Sequence, residues 1–254
     1  MGVVISVINN KGGTGKTTTS LNLGAAFAEK GHKVLLIDLD SQCNLSTSIG
    51  ISESALHVGN ILLGENTIEQ VIVQKEKLDI VASTDTLLDY EQRINNEPGR
   101  EYILHEALQT IKDKYDFIVI DCAPSLGTLS LNSLVAADYY IVPMQAENFA
   151  FIGLDKILQI SEKVKKRMNP KLELAGILFL KLSGKTRFSQ AIISNLNNNL
   201  ELKNKVFKTH IRQDIALMEA SAFGKTIFDY SKSGRGAFDY RKLAEEVFLK
   251  VKNK

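Results

Sequence analysis

The sequence predicts an α/β fold: a doubly wound, mostly parallel β-sheet flanked by helices, in one domain over residues 1–254. Three observations carry that expectation. Short apolar runs alternate with longer stretches of helical periodicity, the pattern of parallel strands joined by crossover helices. Some of those runs end in a glycine-rich turn or in aspartates, which places polar chemistry at one end of a buried strand, where doubly wound sheets hold their ligands. At 254 residues and 44% hydrophobic content, the chain is large enough to bury one full core.

The first apolar run, 3–8, breaks into Asn10-Lys11-Gly12-Gly13-Thr14-Gly15-Lys16-Thr17-Thr18 and then into a helical pattern over 17–29. Strand, glycine-rich turn and helix together are the context of a P-loop, so residues 11–18, Thr14 and Thr18 included, are expected to bind nucleotide phosphates. Gly12, Gly13 and Gly15 let the backbone turn tightly with its N–H groups inward, where a Cβ would crowd an oxyanion. Lys16 supplies positive charge for the β and γ phosphates, and Thr17 a hydroxyl for Mg²⁺. ATP and Mg²⁺ are the expected cofactors. Asn10 stands where the general motif has glycine, and Lys11 adds a second lysine at the loop's mouth. Five residues before Lys16, its side chain is expected to point away from its own nucleotide, toward a phosphate held by a neighbouring subunit.

The second run, 34–38, ends in Asp38-Leu39-Asp40, whose carboxylates at i and i+2 leave the strand on one side. Asp38 is expected to hold Mg²⁺ through water, and Asp40 to position or deprotonate the water that attacks the γ-phosphate. Gly50, Gly59 and Gly64 divide 41–96 into short fragments around a strand at 78–82, with no sharp boundaries. The run 117–121 ends in Asp121, a Walker B pattern whose carboxylate completes the Mg²⁺ shell opposite Thr17. Pro124-Ser125-Leu126-Gly127 then reads as a switch loop sensitive to the γ-phosphate. Further strands are expected at 140–143, 174–180 and 206–208. Helices are expected at 151–168, with Leu154, Ile157, Leu158, Ile160, Val164 and Met168 mostly on one stripe, and at 240–251.

Residues 1–180 hold 16 Lys and Arg against 22 Asp and Glu, whereas 181–254 hold 15 against 7. This asymmetry points the C-terminal part at a polyanion. No apolar run approaches a membrane span and no leader-like segment opens the chain, so a cytoplasmic protein is expected. Cys43 and Cys122 lie far apart, which fits a reducing compartment and argues against a zinc or iron–sulfur site within one chain.

With these pieces in place, the chain resembles the ParA/Soj-type partition ATPases of the MinD/ParA group, which carry a deviant Walker A motif. The family signature K-G-G-x-G-K-S/T-T is matched by 11–18, D-x-D-P-Q-x-N by 38–44 and Y-D-x-x-x-I-D-x-P-P-S-L-G by 115–127. The likeness continues through Val142-Pro143-Met144-Gln145-Ala146-Glu147, through Glu219-Ala220-Ser221-Ala222-Phe223-Gly224-Lys225, and through Gly236-Ala237 into the last helix. The resemblance implies an ATP-sandwich homodimer in which Lys11 reaches the partner's phosphates, Lys16 binds nucleotide and Asp40 serves hydrolysis. It further implies weak, Mg-dependent ATPase activity and non-specific binding to double-stranded DNA. A ParB/Spo0J-type centromere-binding partner then drives release during plasmid or chromosome segregation on the nucleoid. Lys185, Arg212 and Arg235, in loop-like segments near the family's DNA contacts, are the expected DNA-binding residues.

Departures from the family pattern are Ser41, Cys43 and Ala123 in the two switch segments, and Gln213 and Ala216 where many relatives carry arginine. With the P-loop at the start of this sequence, no operator-binding segment is expected before it, nor sequence-specific operator binding. Two rival functions share this chemistry. One is a ParA-like ATPase that positions a protein cargo. The other is a MinD-like membrane-cycling ATPase, disfavoured because Tyr240, Leu243, Val247 and Val251 are spaced to pack inward, so no stable membrane association is expected.

Overall fold

The computed structural model describes residues 2–146, 150–181, 194, 196, 198–199 and 202–252. Six strands form one parallel sheet: β1 (Val3–Val7), β2 (Val34–Leu39), β3 (Asp79–Val81), β4 (Phe117–Cys122), β5 (Tyr139–Gln145) and β6 (Glu173–Leu180). Their order is β3-β2-β4-β1-β5-β6, with β1 at the point where the winding reverses. The carboxyl ends of β2, β4, β1 and β5 therefore open on one crevice.

Helices cover both faces. The described ones are α1 (Lys16–Glu29), α2 (Asn44–Thr47), α3 (Val58–Leu62), α4 (Ile68–Val71), α5 (Leu87–Ile94), α6 (Ile103–Gln109), α7 (Thr128–Ala136), α8 (Ala150–Arg167), α9 (Ile215–Ala222), α10 (Ile227–Tyr230) and α11 (Arg235–Lys252). Strand alternation builds two core layers. Ile118 and Ile120 of β4 face α3–α8, whereas Phe117 and Val119 face α1 and α9–α11. Each such fully buried aliphatic side chain contributes roughly 1.5–3 kcal/mol. Leu154, Ile157 and Val164 of α8 are buried as the stripe required, with Leu158 packed beside them.

Two expectations are corrected. Residues 206–208 do not form a strand: Val206 and Ile211 make single parallel bridges to Ile177 and Leu180. The ladder stops because the N–H groups of Lys208 and Thr209 donate to the Glu246 carboxylate of α11, at 2.9 and 3.0 Å. The last helix starts at Arg235 rather than Tyr240, since the Gly236 N–H finds a cap in Asp214 Oδ2 at 2.7 Å. The ill-defined stretch 41–96 resolves into α2–α5 around β3.

Candidate functional site

The loop between β1 and α1 turns through Gly13 and Gly15, both in the left-handed region at φ 73 and 88°. A Cβ on Gly15 would also stand 2.5 Å from Leu180 Cδ2, whereas one on Gly12 or Gly13 would enter open space. That open space is the side on which an oxyanion fits. Helix α1 begins at Lys16 with no side-chain cap and no acidic residue in its first turn, so its leading N–H groups and positive dipole end are left for an anion. The Lys11 carbonyl accepts from Lys16 Nζ at 3.0 Å and from Thr14 Oγ1 at 3.3 Å, which folds the loop over the lysine. Lys16 is buried; burial lowers its pKa, and the neighbouring Asp121, Cys122 and Asp40 pull it back up. Lys11, Gly12, Gly13, Thr17 and Thr18 all keep solvent access around the cradle.

Asp38 and Asp121 are register partners at the ends of β2 and β4, and both are fully buried. Asp38 Oδ2 accepts from Ser46 N at 2.9 Å and Ser46 Oγ at 2.7 Å, and its Oδ1 accepts from Asp40 N at 3.2 Å. Asp121 Oδ1 accepts from Ser20 Oγ at 3.0 Å, and the nearby Thr17 hydroxyl, like Ser20, pulls the pKa of this carboxyl down against its burial. Asp121 Oδ2 is buried with no partner. Burial pushes both carboxyls above the usual range, and the adjacent Asp38 charge raises Asp121 further.

This arrangement fits Mg²⁺. An orphaned carboxylate oxygen beside a threonine hydroxyl provides the hard oxygen donors the ion takes. Asp38 already accepts from three N–H and O–H donors, which suits contact through water. Among the described residues no cluster of three or more His, Cys, Asp or Glu is built to hold a metal alone. Asp40 lies at the crevice, 7% exposed, with Oδ1 accepting from Gln42 N at 3.0 Å.

The expected DNA residues are not all alike. Arg212 lies in the loop before α9, with its guanidinium closed onto Asp239 by Nε at 3.0 and 3.1 Å and Nη2 at 2.7 Å. Arg235 is exposed, but as the first residue of α11 rather than in a loop. Lys185 and Glu147 lie outside the described residues. Three residues that touch the site have no role assigned from the sequence: Ser20 on Asp121, Ser46 on Asp38, and Gln145, whose Nε2 donates to the Gly13 carbonyl. Ser20, at i+4 from Lys16 on α1, was legible from helical spacing, because it must follow the lysine on the same face.

The family described as AAA domain matches residues 2–174. The sporulation initiation inhibitor protein Soj of Bacillus subtilis is 38% identical over 251 residues, 97% of this chain and 98% of that one. Cobyrinic acid a,c-diamide synthase from Mycobacterium smegmatis, solved with bound ADP and magnesium, superposes with a TM-score of 0.86 at 31% identity, covering 100% of this chain and 97% of that one. A plasmid partition protein from Borrelia burgdorferi, solved with AMPPNP, superposes with a TM-score of 0.82 at 25% identity, over 99% of this chain and 100% of that one. Adenine nucleotide and magnesium thus occur in solved relatives that share this sheet. With a cradle, two strand-end carboxylates and near full-length similarity in agreement, the chain belongs to the Soj/ParA family of P-loop chromosome-partitioning ATPases.

Proposed function

We propose that this chain is a partition ATPase that closes as a homodimer over two ATP molecules, binds double-stranded DNA without sequence preference and segregates plasmid or chromosome with a ParB/Spo0J-type partner. The observation that carries the reading is the convergence of Lys16, Asp38, Asp40 and Asp121 beside the glycine cradle, at the carboxyl ends of adjacent strands. The nucleotides and magnesium of the solved relatives support it.

In this reading the N–H groups of 12–18 and the Lys16 ammonium take the phosphates of ATP. Mg²⁺, when bound, neutralises charge between the β and γ phosphates; Thr17 and Asp121 would hold it, with Asp38 acting through water. Asp40 orients the attacking water and accepts its proton, so that ATP and water give ADP and phosphate. Lys11 lends its charge to the partner's triphosphate. Unstimulated turnover is weak and depends on magnesium. DNA is met by the basic C-terminal part, Arg235 foremost, and the ATP-bound protein is nucleoid-associated.

Asp40→Ala tests the proposal. The variant is expected to bind ATP as the wild type does, to lose turnover by about 100-fold or more, and to accumulate as a dimer that retards plain duplex in a gel. Unchanged turnover, or an ATP-loaded variant that sediments as a monomer and leaves duplex free at low salt, overturns it.

A further inference from the structure

We infer that Gln145 is a positioning residue for the phosphates, which it never touches: its side-chain amide fixes the Gly13–Thr14 peptide so that the Thr14 N–H serves the cradle. The inference rests on the ATP-binding reading above and deepens it.

Gln145 is the last residue of β5, and its Nε2 donates to the Gly13 carbonyl at 2.7 Å. A trans peptide is planar, so its C=O and N–H point in opposite directions. Holding the Gly13 oxygen against β5 therefore turns the Thr14 N–H away from β5 and across the loop. Such a hold is needed because Gly13 sits at φ 73° with open space where a Cβ would be. Glycine reaches that conformation freely, and a glycine-flanked peptide also turns over freely unless something pins it. The peptide two residues earlier is pinned within the loop, where the Lys11 carbonyl accepts from Lys16 and Thr14. The Gly13 carbonyl is pinned from outside it, by a strand.

A second tie runs parallel to the first. Asn9 Nδ2 donates to the Pro143 carbonyl of β5 at 2.6 Å, and Asn9 Oδ1 accepts from Lys11 N at 3.0 Å. The end of β5 thus grips the loop at its entrance and at its tip, and a strand holds such a geometry more closely than a loop does. The backbone N–H groups of a P-loop cradle the α and β phosphates, which ATP and ADP share. Loss of the Gln145 amide should therefore weaken ground state and transition state alike, which raises KM and leaves kcat at saturation unchanged.

The test uses the full chain with Gln145→Met, which keeps length and removes the donor, and Gln145→Glu, which keeps shape and sets a carboxylate oxygen against the carbonyl. Calorimetric titration with ADP and with a non-hydrolysable ATP analogue is expected to show both nucleotides weakened by the same factor. That factor is about 3- to 10-fold for Met, the worth of one hydrogen bond, and larger for Glu. The KM for ATP should rise in step, with kcat and the nucleotide-free melting temperature unchanged. A Gln145→Met variant that binds ADP within twofold of wild type overturns the inference, as does a loss confined to kcat. Should Gln145→Met fold poorly, Gln145→Glu alone decides by the same two criteria. If wild type binds no ADP and Lys16→Ala matches it, the ATP-binding reading itself has failed.

Discussion

The side chain of Asp239 is 7% exposed, and Arg212 surrounds its carboxylate with two side-chain nitrogens and its own backbone N–H. Removing the guanidinium strands a buried charge, a loss tempered by the 40% exposure of the arginine side chain. Arg212→Ala is expected to cost about 1–2 kcal/mol in urea unfolding. Arg212→Lys should recover only part of this, because an ammonium does not reproduce the two-point fork. Stability equal to wild type in the alanine variant would show that Asp239 finds other donors. The same pairing bears on DNA: a guanidinium already neutralised by Asp239 is a weaker phosphate ligand than Arg235, which makes no ion pair among the described residues. A loss of DNA binding in an Arg212 variant therefore mixes folding with recognition, and Arg235→Glu is the cleaner probe.

One side chain organises two elements. Asp214 Oδ1 accepts from Ala216 N at 3.1 Å at the start of α9, and its Oδ2 accepts from Gly236 N at 2.7 Å at the start of α11. Helix α11 in turn seats the fully buried Tyr240, whose hydroxyl meets Thr19 of α1 at 3.4 Å, so the shared cap sets how the C-terminal layer rests on the nucleotide helix. Asp214→Ala removes both caps and is expected to cost about 1–3 kcal/mol, a fall of about 3–8 °C in melting temperature. A shift of less than a degree would mean that both helix ends are held by packing alone. This cap also explains why the last helix was not fully legible in the sequence: Gly234 and Gly236 look like loop, and the residue that stabilises the helix start lies 22 positions earlier. The 206–208 segment failed as a strand for a related reason, since Glu246 takes the Lys208 N–H from 38 residues away. By contrast, the six strands and the cradle were legible because apolar runs, glycines and strand-end aspartates act locally. The proposed Mg²⁺ ligands, Thr17 and Asp121, carry a local motif, whereas the contacts of Ser46 with Asp38 and of Gln145 with Gly13 are tertiary and have no local signature.

At the scale of the molecule, the described C-terminal helices α9–α11 pack in the same layer as α1, so this part of the basic portion lies against the helix that opens the cradle. Lys225, Lys232 and Arg235 are exposed there. No described helix is long and apolar enough to cross a membrane. Two chains that close on ATP would bring two copies of this surface together, and DNA affinity would then follow the nucleotide state through the number of phosphates met at once. Each contact contributes about 0.9 to the slope of log K against log salt. The ATP-loaded Asp40→Ala dimer is therefore expected to show about twice the slope of the ADP-bound protein in fluorescence anisotropy with a short duplex. Arg235→Glu in that dimer should lower the slope by about 1.8, one contact per chain, to the same extent on unrelated sequences. Equal slopes for the ATP and ADP forms would break the link between dimerisation and DNA binding, and a loss confined to one sequence would show that Arg235 reads bases rather than phosphates.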